Sequence, residues 1–452
     1  MHVLVLSLYD LGRPPIEAFA IAEHVRRSAG NDPTWSAEVV DVSVENWPTE
    51  RVSAADVVVL SVPMHTASRM AVEASARIRS EGSGAVIVGL GLYAHLAGSA
   101  LDNAVTASFG PNELNAFARW LTQQKTTESL ALPFPGSPSV APAMSFVSLD
   151  RYSQLAVGDD RRIAGALYAS TGCLHRCTHC PVPVAFNGRI RLPAIDSVLA
   201  DADAQIAAGA LHMSFADPDF LNAPSHARRV IRALRERHPS VTFDCTVKVE
   251  HILRHSTVWP ELAAAGCLFV VSALESVDNE VLKILDKGHT AAEGEQAVHV
   301  LRSAGIEIRP SLLPFTPWTT IRGIAELFAF AERCDLLDSI DPVQYSIRLL
   351  VPQGSLLATH PALLPYRGDY DDAAMTYRWT AADAAVDALQ IHLAAIADAG
   401  ATQDQPPRQT YARMRSAVAD ALGPREAQTV FTERIRFGST EARPRMTEPW
   451  FC

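Results

Sequence analysis

Short runs of Val, Leu and Ile alternate with amphipathic stretches over the first quarter of the chain. Residues 3–8, 37–42, 57–62 and 85–90 have strand length and are largely apolar, while 16–29 and 68–78 repeat apolar positions at helical spacing. This alternation predicts a small doubly wound, Rossmann-like parallel sheet over residues 1–123. Gly89, Gly91, Tyr93 and His95 then fall at the carboxyl end of the fourth strand, where such sheets bind ligands. From 124 to 160 the pattern breaks at Pro133, Pro135, Gly136, Pro138 and Pro142, as in a linker.

A second alternation occupies residues 161–354. Its strand candidates are 166–171, 212–217, 242–248, 268–275, 307–313 and 344–350, with helices at 225–237 and 292–304 among those between. Such units predict a partial parallel barrel, an α/β fold of (β/α)6 type. Alternate residues of a strand face opposite sides, so Thr246 and Lys248, continued by Glu250, share a face opposite Phe243, Cys245 and Val247. The polar set is expected to line the barrel and Cys245 to pack outward. In the sixth candidate Gln344, Ser346 and Arg348 are in phase, opposite Tyr345, Ile347 and Leu349. A lining this polar suits a charged ligand. Residues 355–452 read as a small, mostly helical region with helices at 381–399 and 411–422, followed by a cysteine-bearing tail.

Composition narrows the class. Among 452 residues 48% are hydrophobic, enough for about three compact units and incompatible with a disordered or fibrous chain. Met1 leads straight into a strand pattern without a basic region, a long apolar stretch or a cleavage site, so no signal peptide is expected. Apolar runs such as 267–273 fall far short of the roughly twenty residues that span a bilayer. A soluble, cytoplasmic protein without a membrane partner is the expectation. The net charge of −11 offers no long-range attraction for phosphate backbones, so nucleic acid is not an expected partner. Seven cysteines, three of them within eight residues, argue for thiols or metal ligation in a reducing compartment and against a disulfide framework.

Those three lie in Cys173-Leu174-His175-Arg176-Cys177-Thr178-His179-Cys180, directly after the first barrel strand, at the end of the barrel where active sites form. Three thiolates at this spacing can hold three corners of a four-iron cluster and leave the fourth iron open to substrate. Structural zinc is the competing reading, since it takes thiolate and imidazole; it usually wants a second ligand pair beyond a longer loop, and none stands at that distance. His175 and His179 are read as packing, solvent or supporting residues.

With this motif in this place, residues 160–350 resemble the radical S-adenosylmethionine (SAM) superfamily. The resemblance implies a [4Fe-4S] cluster on Cys173, Cys177 and Cys180, whose open iron chelates the methionine end of SAM, and a reductant such as flavodoxin or ferredoxin. Phe215-Ala216-Asp217-Pro218-Asp219-Phe220 looks like the segment that contacts the methionine amino group, with Asp217 as acceptor, although it lacks the usual double glycine. Glu250, and Glu275 with Ser276, resemble residues that contact the SAM ribose or substrate. Arg348 is positioned to pair with the SAM carboxylate. Pro314-Phe315-Thr316-Pro317-Trp318 falls where the family contacts adenine, with Trp318 itself better suited to fill the core.

Domain 1 resembles the cobalamin-binding domain of class B radical SAM methyltransferases. Their Asp-x-His-x-x-Gly loop has no counterpart in Ser7-Leu8-Tyr9-Asp10-Leu11-Gly12-Arg13-Pro14. Cobalamin would therefore bind without a histidine ligand, or the domain only shapes the active site. The tail Thr447-Glu448-Pro449-Trp450-Phe451-Cys452 resembles a subgroup that continues past Trp-Phe-Cys with selenocysteine or cysteine and then Ala-Glu-Pro. This chain stops at Cys452, as expected where an in-frame UGA is read as a stop. The subgroup includes enzymes of arsinothricin biosynthesis, which implies transfer of a 3-amino-3-carboxypropyl group from SAM to trivalent arsenic, with Cys452 presenting arsenite. Cobalamin-dependent radical methylation and a zinc-stabilised metalloid-binding protein are the alternatives. Cys245, Cys267 and Cys334 read as buried small hydrophobes.

Overall fold

The computed structural model describes residues 1–30, 32–125, 139–144, 148–432 and 443–448. The first sheet contains β1 (His2–Ser7), β2 (Ser36–Asp41), β3 (Val57–Ser61), β4 (Val86–Leu90) and β5 (Ala107–Phe109), all parallel, in the order β2-β1-β3-β4-β5. Val3, Leu4, Val5 and Leu6 are fully buried because helices cover both faces. The chain reverses direction across the sheet between β1 and β3, which opens a crevice at their carboxyl ends. β5 has only three residues and no apolar run, so the hydrophobic pattern did not reveal it.

The second sheet is the barrel wall. It contains β7 (Ala164–Leu167), β8 (His212–Phe215), β9 (Thr242–Thr246), β10 (Cys267–Glu275) and β11 (Glu307–Leu312), again all parallel, in the order β11-β10-β9-β8-β7. The strand parity holds. Phe243, Cys245 and Val247 pack into the large cluster beneath the outer helices, whereas Asp244 faces inward to His212 and Ser214 at 2.9 and 2.5 Å. Cys245, Cys267 and Cys334 are all buried.

The sixth strand candidate does not form. Its residues make a 3-10 turn, Pro342–Ser346, and a single bridge between Phe315 and Arg348. Tyr345 is drawn between Phe328 and Tyr411, with ring centroids 4.6 and 5.2 Å away, and Gln344 Oε1 accepts the Leu312 N–H at 3.1 Å in place of a strand partner. Local packing thus takes the hydrogen-bonding groups that a ladder would need. The helices Ala384–Thr402 and Pro407–Leu422 cover this side, and Tyr411 donates its hydroxyl to Phe328 O at 3.0 Å.

Two further contacts organise the site. Ala166 of β7 packs into the core of the first domain, and Asn112 Nδ2 donates to Ala185 O at 2.9 Å just beyond the cysteine loop. The C-terminal strand β12 (Arg445–Met446) runs antiparallel to β6 (Leu155–Val157) and carries Met446 against Phe269, Val271 and Ala164 of the barrel. Glu448 then reaches the loop after β1: its N–H donates to Ser153 Oγ at 3.0 Å, and its carboxylate stands beside Gly12, at φ +68°, and Tyr9. Pro133, Pro135, Gly136 and Pro138 of the linker, and Cys452 with the rest of 449–452, lie outside the described residues. No described helix is long and apolar enough to cross a membrane.

Candidate metal and cofactor site

The cysteine loop leaves β7 through a short strand, Thr171–Gly172, paired antiparallel with Ile190–Arg191. Gly172 has φ +81°, and a side chain there would strike Arg189 O and the Phe186 ring, so glycine is required. The loop is pinned from several directions. Thr178 N–H donates to Leu285 O at 3.0 Å, Thr178 Oγ1 to Ile284 O at 2.9 Å, and Leu357 N–H to Thr178 O at 2.9 Å. Cys173 and Cys177 are each 7% exposed, and Cys180 is half-buried. All three are free thiols. Burial pushes the Cys180 thiol up to about 12, with Cys177 and Cys173 adding to it, and burial raises Cys173 as well. Three thiols crowded in a protein-walled pocket gain by giving up their protons to a metal.

Around this loop stand charged groups from successive strand ends. Glu275 closes β10 at φ +61°, a left-handed conformation unusual outside glycine, and the register with β11 shifts there, a bulge that re-aims its side chain. Its Oε1 accepts from Lys287 Nζ at 3.1 Å and lies 3.2 Å from His179 Nε2. Burial pushes the carboxyl up, but the Lys287 charge and His179 outweigh it and hold Glu275 near 2. Lys287 is 3% exposed; burial works against its charge, and Glu275, Cys177 and Cys180 together raise it above the ordinary lysine value. A fixed cation therefore sits beside the thiols, as a negatively charged thiolate cluster would need.

The remaining sequence candidates are placed as follows. Asp217 is buried and its two oxygens accept from Ser170 Oγ at 2.6 Å and Ala169 N at 2.9 Å, which ties down the segment leading into the cysteine loop. Burial lifts it to about 7, against the pull of those hydrogen bonds. Glu250 lies 3.6 Å from His175 Nδ1 and 3.9 Å from Lys248 Nζ, and also meets Arg254. Gly288, at φ +72°, lets Glu250 approach, since a Cβ there would stand 2.8 Å from its Oε2. Ser276 Oγ accepts the Asp278 N–H at 3.1 Å. Arg348 is engaged outward: it bonds Asp387 at 2.5 Å and Trp379 O at 2.6 Å, with its guanidinium 3.5 Å over the Trp379 ring. Trp318 donates to Ala362 O at 3.0 Å within a peripheral apolar cluster.

The pattern did not flag Lys287, His251 or His289, and it gave Asp219 no role of its own within the Phe215–Phe220 segment. Asp219 is fully buried, with Oδ1 capping Leu221 N at 3.0 Å. His251 is buried in the helix Val249–Arg254. His289 is buried, and desolvation then Lys287 lower it to about 4. Each is a lone polar residue in a turn or short helix, and only proximity in the fold marks it.

Domain 1 presents its crevice to the same region. Tyr93, after β4, is pushed above its ordinary value by burial and by Cys180. A cavity of about 460 Å³ is lined by Leu92, His95 and Asn112 of domain 1 and by Val184, Phe186 and Arg189 beyond the cysteine loop. In the loop after β1, burial raises Asp10 to about 6 despite Arg13, and burial with Asp10 raises Glu17 to about 8. His65, the first residue of the helix His65–Ser80 after β3, is held by Ala374 O at 3.0 Å. That first loop supplies no imidazole, so it does not fit cobalamin ligated by histidine.

Residues 167–328 match the model of the radical SAM superfamily. The chain carries a radical SAM domain. No curated protein matches it in sequence. Among solved structures it is similar to the cobalamin-dependent S-adenosylmethionine radical enzyme OxsB with aqua-cobalamin and S-adenosylmethionine bound, at 14% identity and TM-score 0.67, over 95% of this chain and 74% of that one. The same enzyme with aqua-cobalamin alone aligns over 86% of this chain and 66% of that one, at TM-score 0.63 and 14% identity. The radical SAM methyltransferase TsrM from Kitasatospora setae, with cobalamin and a [4Fe-4S] cluster, aligns at 17% identity and TM-score 0.55, over 74% and 70%. The chain thus spans about two thirds to three quarters of these proteins. The α/β architecture, a parallel N-terminal sheet followed by the radical SAM barrel, is common to all three. With the cofactors of a radical SAM domain, [4Fe-4S] and SAM, the thiol pocket and its buried lysine are chemically consistent.

Proposed function

We propose that this chain is a radical SAM transferase that moves the 3-amino-3-carboxypropyl group of SAM to trivalent arsenic. Bound at Cys173, Cys177 and Cys180, the cluster would supply an open iron for the amino acid end of SAM and the electron that breaks a carbon–sulfur bond. The protein's own residues hold the charges for this. Lys287 offsets the negative charge of the thiolates, Glu275 and His179 keep that lysine in place, and Asp217 anchors the strand end from which the loop springs. Glu250 and Glu275, with Ser276, are positioned to receive the ammonium or hydroxyl groups of SAM.

One observation carries the arsenic reading. β12 and Glu448 lead the chain to the loop after β1, at Gly12 and Tyr9, on the crevice edge of domain 1. Cys452 is four residues further on, and four extended residues span at most about 14 Å. That reach supports Cys452 as the soft ligand that presents arsenite. A second reading, cobalamin-dependent methyl transfer, is favoured by the two-domain likeness to enzymes whose structures hold cobalamin. The deciding experiment is anaerobic reconstitution with iron and sulfide, followed by reduction with SAM, with and without arsenite, and identification of the nucleoside released. Methylthioadenosine with an aminocarboxypropyl arsenical is expected; 5′-deoxyadenosine or a methylated product would point to the second reading. Cys452→Ser should spare SAM cleavage and lower the yield of arsenical at least tenfold, and an undiminished yield would remove the tail from the reaction.

A further inference from the structure

We propose that His175, Asp219 and His251 form a divalent-cation site, suited to zinc, beside the cysteine pocket and distinct from it. His175 Nε2, Asp219 Oδ2 and His251 Nδ1 lie within 4.8 Å of one another. All three atoms are enclosed, and none has a hydrogen-bond partner of proper geometry. Asp219 Oδ2 is 2.9 Å from His251 Nδ1 and 3.4 Å from His175 Nε2, so the groups attract one another without a well-directed proton between them. Enclosed polar atoms left in this state are costly, and three of them aimed at one point need a shared partner.

Two surrounding contacts match what a metal site requires. Asp219 cannot swing away, because its other oxygen caps Leu221 N and the residue is fully buried. On His175 the far ring nitrogen, Nδ1, lies 3.6 Å from the Glu250 carboxylate. That is too long for a hydrogen bond, but the carboxylate's charge favours a proton on Nδ1 and leaves the Nε2 lone pair for a metal. The two imidazole rings stand 4.6 Å apart and tilted by 58°, so their edges converge without stacking. Two histidines and one carboxylate complete three of four tetrahedral positions and leave one for water.

The site joins three separate elements: the turn after β8, the helix after β9 and the cysteine loop itself, where His175 lies between Cys173 and Cys177. A cation here would clamp that loop to the barrel wall without using a thiol. Its role is positioning.

The test uses the full-length protein with its cluster reconstituted anaerobically, so that the loop thiols are occupied. After incubation with zinc chloride and removal of loose metal, about one zinc per chain is expected, against less than a tenth of that in Asp219→Asn and His251→Gln with iron content and circular dichroism retained. Zinc-edge X-ray absorption on the wild-type protein should report nitrogen and oxygen neighbours at about 2.0–2.2 Å. That measurement stands even where a variant folds poorly. Wild-type zinc content no higher than in the variants, or a zinc spectrum dominated by sulfur at about 2.3 Å, would overturn the proposal.

Discussion

Two enclosed carboxylates, one in each domain, behave oppositely. Glu17, behind the first loop of domain 1, is lifted by burial to about 8, and its neighbour Asp10 adds to the effect. Glu275, at the end of β10, suffers the same burial yet is held near 2 by Lys287 and His179. Glu17, at the crevice edge of domain 1, is kept protonated at neutral pH, whereas Glu275, at the barrel edge, is kept charged by the cation fixed beside it. That difference sets a charge-holding barrel edge against a crevice edge at which Glu17 stays neutral.

The sharpest way to break this comparison is to remove a thiol. Cys177→Ala should abolish cluster loading and SAM cleavage, read as iron content and nucleoside release, while circular dichroism stays that of the wild type. Next in size is Lys287→Met. It strands Glu275 as an uncompensated buried charge, and breaking such a pair should cost about 3–5 kcal/mol in denaturant unfolding. The pH dependence carries a sign as well. Glu275 has its folded pKa depressed from 4.5, so its contribution is present above about 4.5 and is lost as pH falls toward 2. In Lys287→Met this acid-side loss should flatten.

Glu17 should titrate the other way. Its folded value is raised above 4.5, so its contribution is full below about 4.5 and disappears as pH rises through about 8. Glu17→Gln should therefore be more stable than the wild type at pH 8.5, by about 1–2 kcal/mol after allowance for partial solvent contact, and level with it near pH 4.5. A loss of stability at pH 8.5 would show that Glu17 is paired and end the contrast. The smallest effect is expected at Arg348→Lys, which gives up the forked contact with Asp387 and Trp379 and the stacking on the indole. About 1 kcal/mol of stability should go, with SAM cleavage unchanged.

Periodicity alone determined much of this protein. Buried parallel strands are short apolar runs, so nine of the ten strands in the two sheets were legible, as was the outward packing of Phe243, Cys245 and Val247 opposite the face of Thr246 and Lys248 that follows from the two-residue repeat. The cysteine spacing was legible too, because metal ligation from one loop is a local property. What needed the tertiary structure was everything made by residues far apart in sequence. Lys287 meets Glu275, and its charge reaches the thiols, only through the fold, and Asp219, His175 and His251 converge from a turn, a loop and a helix. Arg348 shared a parity with Gln344 that suggested the lumen, but Asp387, 39 residues on, takes its guanidinium. The sixth strand failed for the same reason: an alternation of polar and apolar residues specifies which face is buried, while Tyr345 packed against Phe328 and Tyr411 decides whether a ladder can form at all.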